Sequence, residues 1–291
     1  MKRTIVALAA LVMLAVVGSA SASTLYRSID FNGLYVETFQ GPTTGTPIAG
    51  ICALTFDGIS SLVASQSFCY IVNGSGSCYQ NVSGSYAVHS DGTGTINGTL
   101  SGGGCSTTPF NESFVIQQLN YSTPPNYQAW NVLFTRTDVG AVASGALVPQ
   151  TGGPFKNYSL LGTYDETISG TTGGNTFASV CEDTFNGAGN GVFPGPYGAV
   201  NGSCTVNIAT IGGCNYSLSG EYGVSTNASA FNIGTLTLTS GAGGCPSSSS
   251  YAEVLRILDG TYNNGVFSAG EVTTVEFEPG VIATGTYLPQ E

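Results

Sequence analysis

Few residues in this chain could do chemistry. Two glutamates occupy matching settings, Glu37 in Tyr35-Val-Glu37 and Glu166 in Tyr164-Asp-Glu166. Tyr35, Glu37 and Phe39 alternate onto one face of an extended segment, as do Tyr164, Glu166 and Ile168. If that face looks into a closed interior, each half of the chain holds an inward carboxyl, which needs a partner or an upward-shifted pKa. If it looks outward, or caps the end of the sheet, the glutamate is solvated. Tyr35, Glu37, Tyr164 and Glu166 are thus the candidate ligand-binding residues, and Glu37 and Glu166 the candidate catalytic ones. Two carboxylates acting together suit glycoside hydrolysis, but the spacing between the halves finds only one recurrent inward acid in each. A second recurrent acidic position, Asp138 and Glu278, directly precedes Val139-Gly140 and Pro279-Gly280 and reads as flanking a turn. Arg136, on the face of Trp130 and Phe134, is a potential partner for Glu37, but the other half has Glu276 there.

Other signatures are missing. The single histidine, His89, ends an alternating segment beside Asp91-Gly92 and reads as an exposed loop-end residue. A Ser-His-Asp triad could be built only around it. No phosphate-binding loop, dinucleotide fingerprint or calcium loop of alternating acids is present. Cys52, Cys69, Cys78, Cys105, Cys181, Cys204, Cys214 and Cys245 contain no Cys-x-x-Cys pair, and one histidine cannot complete zinc sites. No metal and no cofactor are expected.

The start of the chain reads as an address. Lys2 and Arg3 precede an apolar run over 5–17, and Ala20-Ser21-Ala22 is a small-residue cleavage site. Residues 1–22 are expected to be a signal peptide, with a secreted, extracellular or periplasmic product. In such a compartment eight cysteines read as disulfides. Charged residues are only 8% of the 291, with 17 Asp+Glu against 6 Lys+Arg. No basic face for nucleic acid can be assembled from that supply, and helices could not be solvated on their outer sides. No further apolar run reaches membrane-spanning length.

Internal comparison divides the rest. Ile51-Cys-Ala-Leu-Thr-Phe-Asp-Gly58 matches Val180-Cys-Glu-Asp-Thr-Phe-Asn-Gly187, and Ser83-Gly-Ser-Tyr86 matches Ser219-Gly-Glu-Tyr222. The end of unit 1, Gly140 to Gln150, matches Gly280 to Gln290, and the four cysteines of each half correspond in order. A period of about 130 residues is domain-sized. Units at 23–150 and 151–291 follow, joined near Gln150-Thr-Gly-Gly-Pro-Phe155. Alternation and Asp-Gly or Asn-Gly turns predict eight strands in unit 1, near 32–40, 48–57, 61–72, 79–89, 93–101, 110–119, 129–138 and 140–148. The fold class is all-β: two tandem antiparallel up-and-down barrels, about eight-stranded and disulfide-bonded. β-Sandwiches are the alternative. Opposed positions about the turns favour Cys52–Cys69 with Cys78–Cys105, and Cys181–Cys204 with Cys214–Cys245. The rival pairing in unit 1 is Cys69–Cys78 with Cys52–Cys105.

Each unit opens with Gly-x-Tyr, Gly33-Leu-Tyr35 and Gly162-Thr-Tyr164. This resembles the Gly-x-Trp opening of the calycin superfamily, lipocalins included. The further series of Thr-Phe-Asp-Gly, Ser-Gly-Ser-Tyr and a terminal Ser-Gly is similar to uncharacterised exported bacterial β-barrel proteins. The resemblance implies an eight-stranded barrel with an apolar interior. The expected function is a non-enzymatic binding or structural surface protein holding a small apolar ligand in each barrel, or partnered with another surface protein. The alternative is an extracellular hydrolase acting through Glu37 and Glu166.

Overall fold

A computed structural model describes residues 25–41, 47–73, 76–120, 127–138, 142–153, 155–189, 197–224, 233–240, 250–263, 266–276 and 281–290. For 233–240, 250–251, 263 and 266–267 it describes the backbone course only. The expected signal peptide and Glu278 lie outside the described residues.

The first barrel is built from β1 (Asn32–Gln40), β2 (Ile48–Asp57), β3 (Phe68–Asn73), β4 (Gly76–Val88), β5 (Thr93–Ser101), β6 (Thr108–Asn120), β7 (Gln128–Arg136) and β8 (Ser144–Pro149). The second comprises β9 (Leu161–Thr172), β10 (Asn175–Asn186), β11 (Gly198–Ile208), β12 (Gly212–Val224), β13 (Ile233–Ser240), β14 (Ser250–Asn263), β15 (Val266–Glu276) and β16 (Val281–Pro289). Within each barrel neighbours in sequence pair antiparallel, and β1–β8 and β9–β16 close the two sheets. Closure leaves no free sheet edge. The sandwich alternative is excluded. The predicted third strand is shorter than expected: 61–67 makes only bridges and a 3-10 turn, Ala64–Gln66, before pairing starts at Phe68.

One end of each barrel is plugged by a 3-10 turn, Ser28–Asp30 and Asn157–Ser159. Tyrosine hydroxyls hold the plugs. Tyr35 donates to the carbonyl of Asp30 at 3.2 Å, and Tyr86 to those of Ser28 and Phe31 at 3.1 and 3.0 Å. In the second barrel Tyr164 donates to Ser159 at 3.4 Å, and Tyr222 to Asn157 and Leu160 at 3.1 and 3.0 Å. The tyrosines of the two recurring motifs therefore tie the plugs to the barrel wall, and the Ser28 and Asn157 carbonyls also accept from the Phe31 and Leu160 amides at 3.0 and 3.1 Å. Phe31, carried inward by the plug, packs its ring 4.9–5.2 Å from those of Tyr35, Phe56 and Phe114.

Inward aromatics of this size need room from the adjacent strand. Phe39 lies over Gly50, Phe114 over Gly94 and Tyr222 over Gly198, each a direct register pair where a Cβ would overlap the ring. Part of the glycine surplus is thus packing space inside the barrels.

The barrels also pack on each other. Val36, Ala49, Ile51 and Val72 of the first meet Val254, Leu258, Val275 and Ile282 of the second in one buried cluster. Arg256 sits there with its guanidinium 4.9 Å from the centre of the Phe68 ring. β2 and the middle of β14 are consequently buried on both faces, which is why Ile48 to Phe56 reads as a near-continuous apolar run.

Cys52–Cys69 and Cys181–Cys204 are direct cross-strand pairs with buried side chains among the core residues, and Cys78–Cys105 ties β4 to the β5–β6 connection. Cys214 is also disulfide-bonded; its expected partner Cys245 lies outside the described residues. No helix among the described residues is long and apolar enough to cross a membrane. Tyr86→Phe and Tyr222→Phe each remove a hydroxyl serving two buried carbonyls. Each is expected to cost about 1–2 kcal/mol, measured by urea unfolding; a loss below experimental error would contradict the clamp.

Candidate functional site

The structure turns the predicted glutamates inward. Glu37 and Glu166 have no exposed surface, and they alternate with core residues Tyr35 and Phe39, and Tyr164 and Ile168. Tyr35 and Tyr164 belong to the plug clamp, so the four predicted residues divide into a structural pair and a carboxyl pair.

Each carboxyl has an inward companion that a fixed spacing between the units misses. Phe110, Glu112 and Phe114 alternate on β6, and Glu112 is 1% exposed. Glu253 and Leu255 repeat the inward alternation on β14, with Glu253 fully buried. Counting forward at constant offset from Cys105 and Cys245 sets Glu112 opposite Ala252. The connection in unit 2 is one residue longer, and correcting for it restores Glu253. The reading of a single recurrent inward acid per unit is therefore corrected: there are two.

In the first barrel Glu37 and Glu112 lie within hydrogen-bonding reach of each other. Neither carboxyl has a donor among the described residues, so they can share a bond only when one is protonated. Burial pushes Glu37 up to about 7, although Arg136 opposes the shift. Burial, then the charge of Glu37, holds Glu112 well above the carboxylate range. Arg136 is the register partner of Glu112 on β7. Its ion pair is with Asp138, not Glu37: Nε donates to Oδ2 at 3.0 Å and Nη2 to the same oxygen. Asp138 in turn accepts from the Asn111 amide at 2.8 Å. The guanidinium lies 4.8 Å from the Phe110 ring centre and 5.4 Å from that of Phe39. Asp138 thus positions the cation.

Above this group the unplugged end of the barrel opens into a cavity of about 600 Å³, lined among others by Ile48, Ile71, Leu100, Gln80, Arg136 and Asp138. The buried Nη1 of Arg136 has no acceptor among the described residues. A second cavity of similar size runs between the barrels, lined by threonines and serines such as Thr38, Ser169, Thr273 and Thr284.

The second barrel lacks the guanidinium. At the corresponding positions Arg136 becomes Glu276, Leu54 becomes Asp183 and Leu147 becomes Tyr287. Glu166, Asp183, Glu253 and Glu276 are all buried. Burial, with neighbouring carboxylates adding to it, raises Glu166 and Glu253 well above their ordinary value; burial pushes Asp183 up to about 7. Tyr287 donates to Glu253 at 3.1 Å. His89 is exposed at the end of β4, as predicted.

The chain matches no protein-family model and no curated protein.

The raised pKa of Glu37 has a sign. Between its ordinary 4.5 and about 7 the native chain binds more protons than the unfolded one, so stability falls as pH rises through that window. A shift of that size corresponds to about 3 kcal/mol. Glu37→Gln is expected to be more stable than the parent at pH 8 and little different near pH 4.5, by urea unfolding in chelator. An unchanged pH slope would contradict the uncompensated pair.

Proposed function

We propose that the protein is an exported binding protein whose first barrel holds a small, largely apolar molecule at its open end. The observation that carries this reading is the cavity of about 600 Å³ flanked by Ile48, Ile71 and Leu100, with Nη1 of the buried Arg136 lacking an acceptor among the described residues. That volume is in the range of small-molecule sites, which combine apolar walls with a few placed polar groups. The ligand suited to it has an apolar body and a hydrogen-bond acceptor at one end, directed at Nη1. The resemblance to calycins, carried by the Gly-x-Tyr openings, supports a barrel that binds in its mouth. The disulfides are compatible with an extracellular or periplasmic location.

The alternative is a hydrolase using Glu37 and Glu166, and the paired carboxyls with raised pKa favour it. It requires substrate to reach groups with no exposed surface, so binding is the preferred reading. Loss of a substrate-screened hydrolysis in both Glu37→Gln and Glu166→Gln would select the hydrolase.

The binding reading is tested with the neutral fluorophore N-phenyl-1-naphthylamine. Saturable binding is expected, weakened at least tenfold, about 1.4 kcal/mol, by Leu100→Trp without a comparable loss of thermal stability. Native mass spectrometry of exported protein should also show a co-purifying small molecule. Absence of saturable binding in the parent chain would contradict the reading.

A further inference from the structure

The interior of the second barrel presents oxygen donors without a counter-charge. Tyr287, on β16, is their hub: its hydroxyl donates to Glu253 at 3.1 Å and interacts electrostatically with Glu166 and Asp183. One hydroxyl proton cannot serve three carboxylates. Both oxygens of Glu166, both of Asp183 and Oε1 of Glu253 have no hydrogen-bond partner among the described residues. Carboxylate oxygens of Glu166 and Asp183 approach within 4.8 Å of each other.

An independent feature points the same way. Thr274, on the inward face of β15 between Val272 and Glu276, has no exposed surface, and its hydroxyl also lacks a partner. A threonine in a dry core ordinarily turns its hydroxyl to a nearby carbonyl. This one supplies a further oxygen to an interior already crowded with acceptors.

No basic side chain reaches this interior. Beyond residue 150 the sequence has only Lys156 and Arg256. Lys156 lies 5.7 Å from the Tyr158 ring centre at the plugged end, and Arg256 faces Phe68 of the first barrel. The first barrel is an internal control, because it places Arg136 where the second has Glu276 and carries Leu54 where the second has Asp183. One barrel encloses its cation; the other has exchanged that cation for two more acids. Gly202, the register partner of Asp183, provides the room: a Cβ there would collide with the Asp183 carboxylate.

We propose that the second barrel encloses a divalent cation, calcium by the chemistry of its donors, held by Glu166 and Asp183 with Glu253, Thr274 and Tyr287 adjoining. All the available donors are hard oxygens, and calcium takes six to eight of them in flexible geometry. Cys181 borders the site but is tied to Cys204, so no thiolate is offered to softer metals. The sequence shows no calcium loop because the two carboxylates come from β9 and β10, and the adjoining groups from β14, β15 and β16, rather than from one segment. Glu276 lies beyond the first coordination set and adds to the attractive field.

The test uses the full oxidised chain, stripped with chelator and titrated with calcium chloride by calorimetry and thermal unfolding. The parent should bind one calcium per chain and unfold at rising temperature as calcium increases. Asp183→Leu and Glu276→Arg, which install the first barrel's residues, should weaken uptake at least tenfold and abolish that rise. Glu276→Arg should also unfold in chelator no lower than the parent, which separates loss of the site from loss of the fold. The exposed-acid change Glu221→Gln should leave uptake unaltered. No uptake by the parent, or undiminished uptake in both Asp183→Leu and Glu276→Arg, would overturn the proposal.

Discussion

A small closed barrel has a sealed interior, and any charge inside it must be balanced from inside. Desolvating a carboxylate costs more than most single contacts return, so such a group takes a proton or a cation. Each barrel here buries two recurrent glutamates, Glu37 and Glu112 in one, Glu166 and Glu253 in the other. The first answers with Arg136, held between two aromatic rings and steadied by Asp138. The second adds Asp183 and Glu276 and has no basic residue inward. One architecture thus has two electrostatic solutions.

Sealing itself has a repeated physical basis. Tyr35 and Tyr86, and again Tyr164 and Tyr222, bind the carbonyls of a 3-10 plug, so the plugged end of each barrel closes on hydrogen-bonded backbone. Inward disulfides and rings seated over glycines occupy the space behind the plug. The low charge content then has a place in the architecture. Outer faces of β1 to β3 and β14 to β16 are buried where the barrels meet, and remaining exposed positions are served mostly by Ser, Thr, Asn and Gly.

Much of this was legible in the sequence. β1, β2 and β5 have the bounds that alternation and Asp-Gly punctuation predict, because side-chain period and turn chemistry act locally there. The cross-strand cysteines followed from symmetry about turns. The segment 61–67 reads as the start of the third strand, but Ser61 and Leu62 make only isolated bridges and Ala64–Gln66 is a 3-10 turn. The plugs were invisible as such: the Gly-x-Tyr and Ser-Gly-x-Tyr motifs recur plainly, but the carbonyls that Tyr86 and Tyr222 bind are 55–65 residues away in the chain. Glu112 and Glu253 escaped for a simpler reason, a one-residue length difference in a connection. Asp183 had no counterpart to reveal it, since the first barrel has Leu54.

The central claim is that acids inside these barrels stay protonated near neutrality when no cation is supplied. Infrared spectroscopy reads this directly from the carbonyl stretch of protonated carboxyl groups. In chelator at pH 6 (below the value of about 7 to which Glu37 and Asp183 are pushed) the native chain should show that band. The band should vanish on unfolding and weaken in Glu112→Gln. A native spectrum with only ionised carboxylate at that pH would contradict the account.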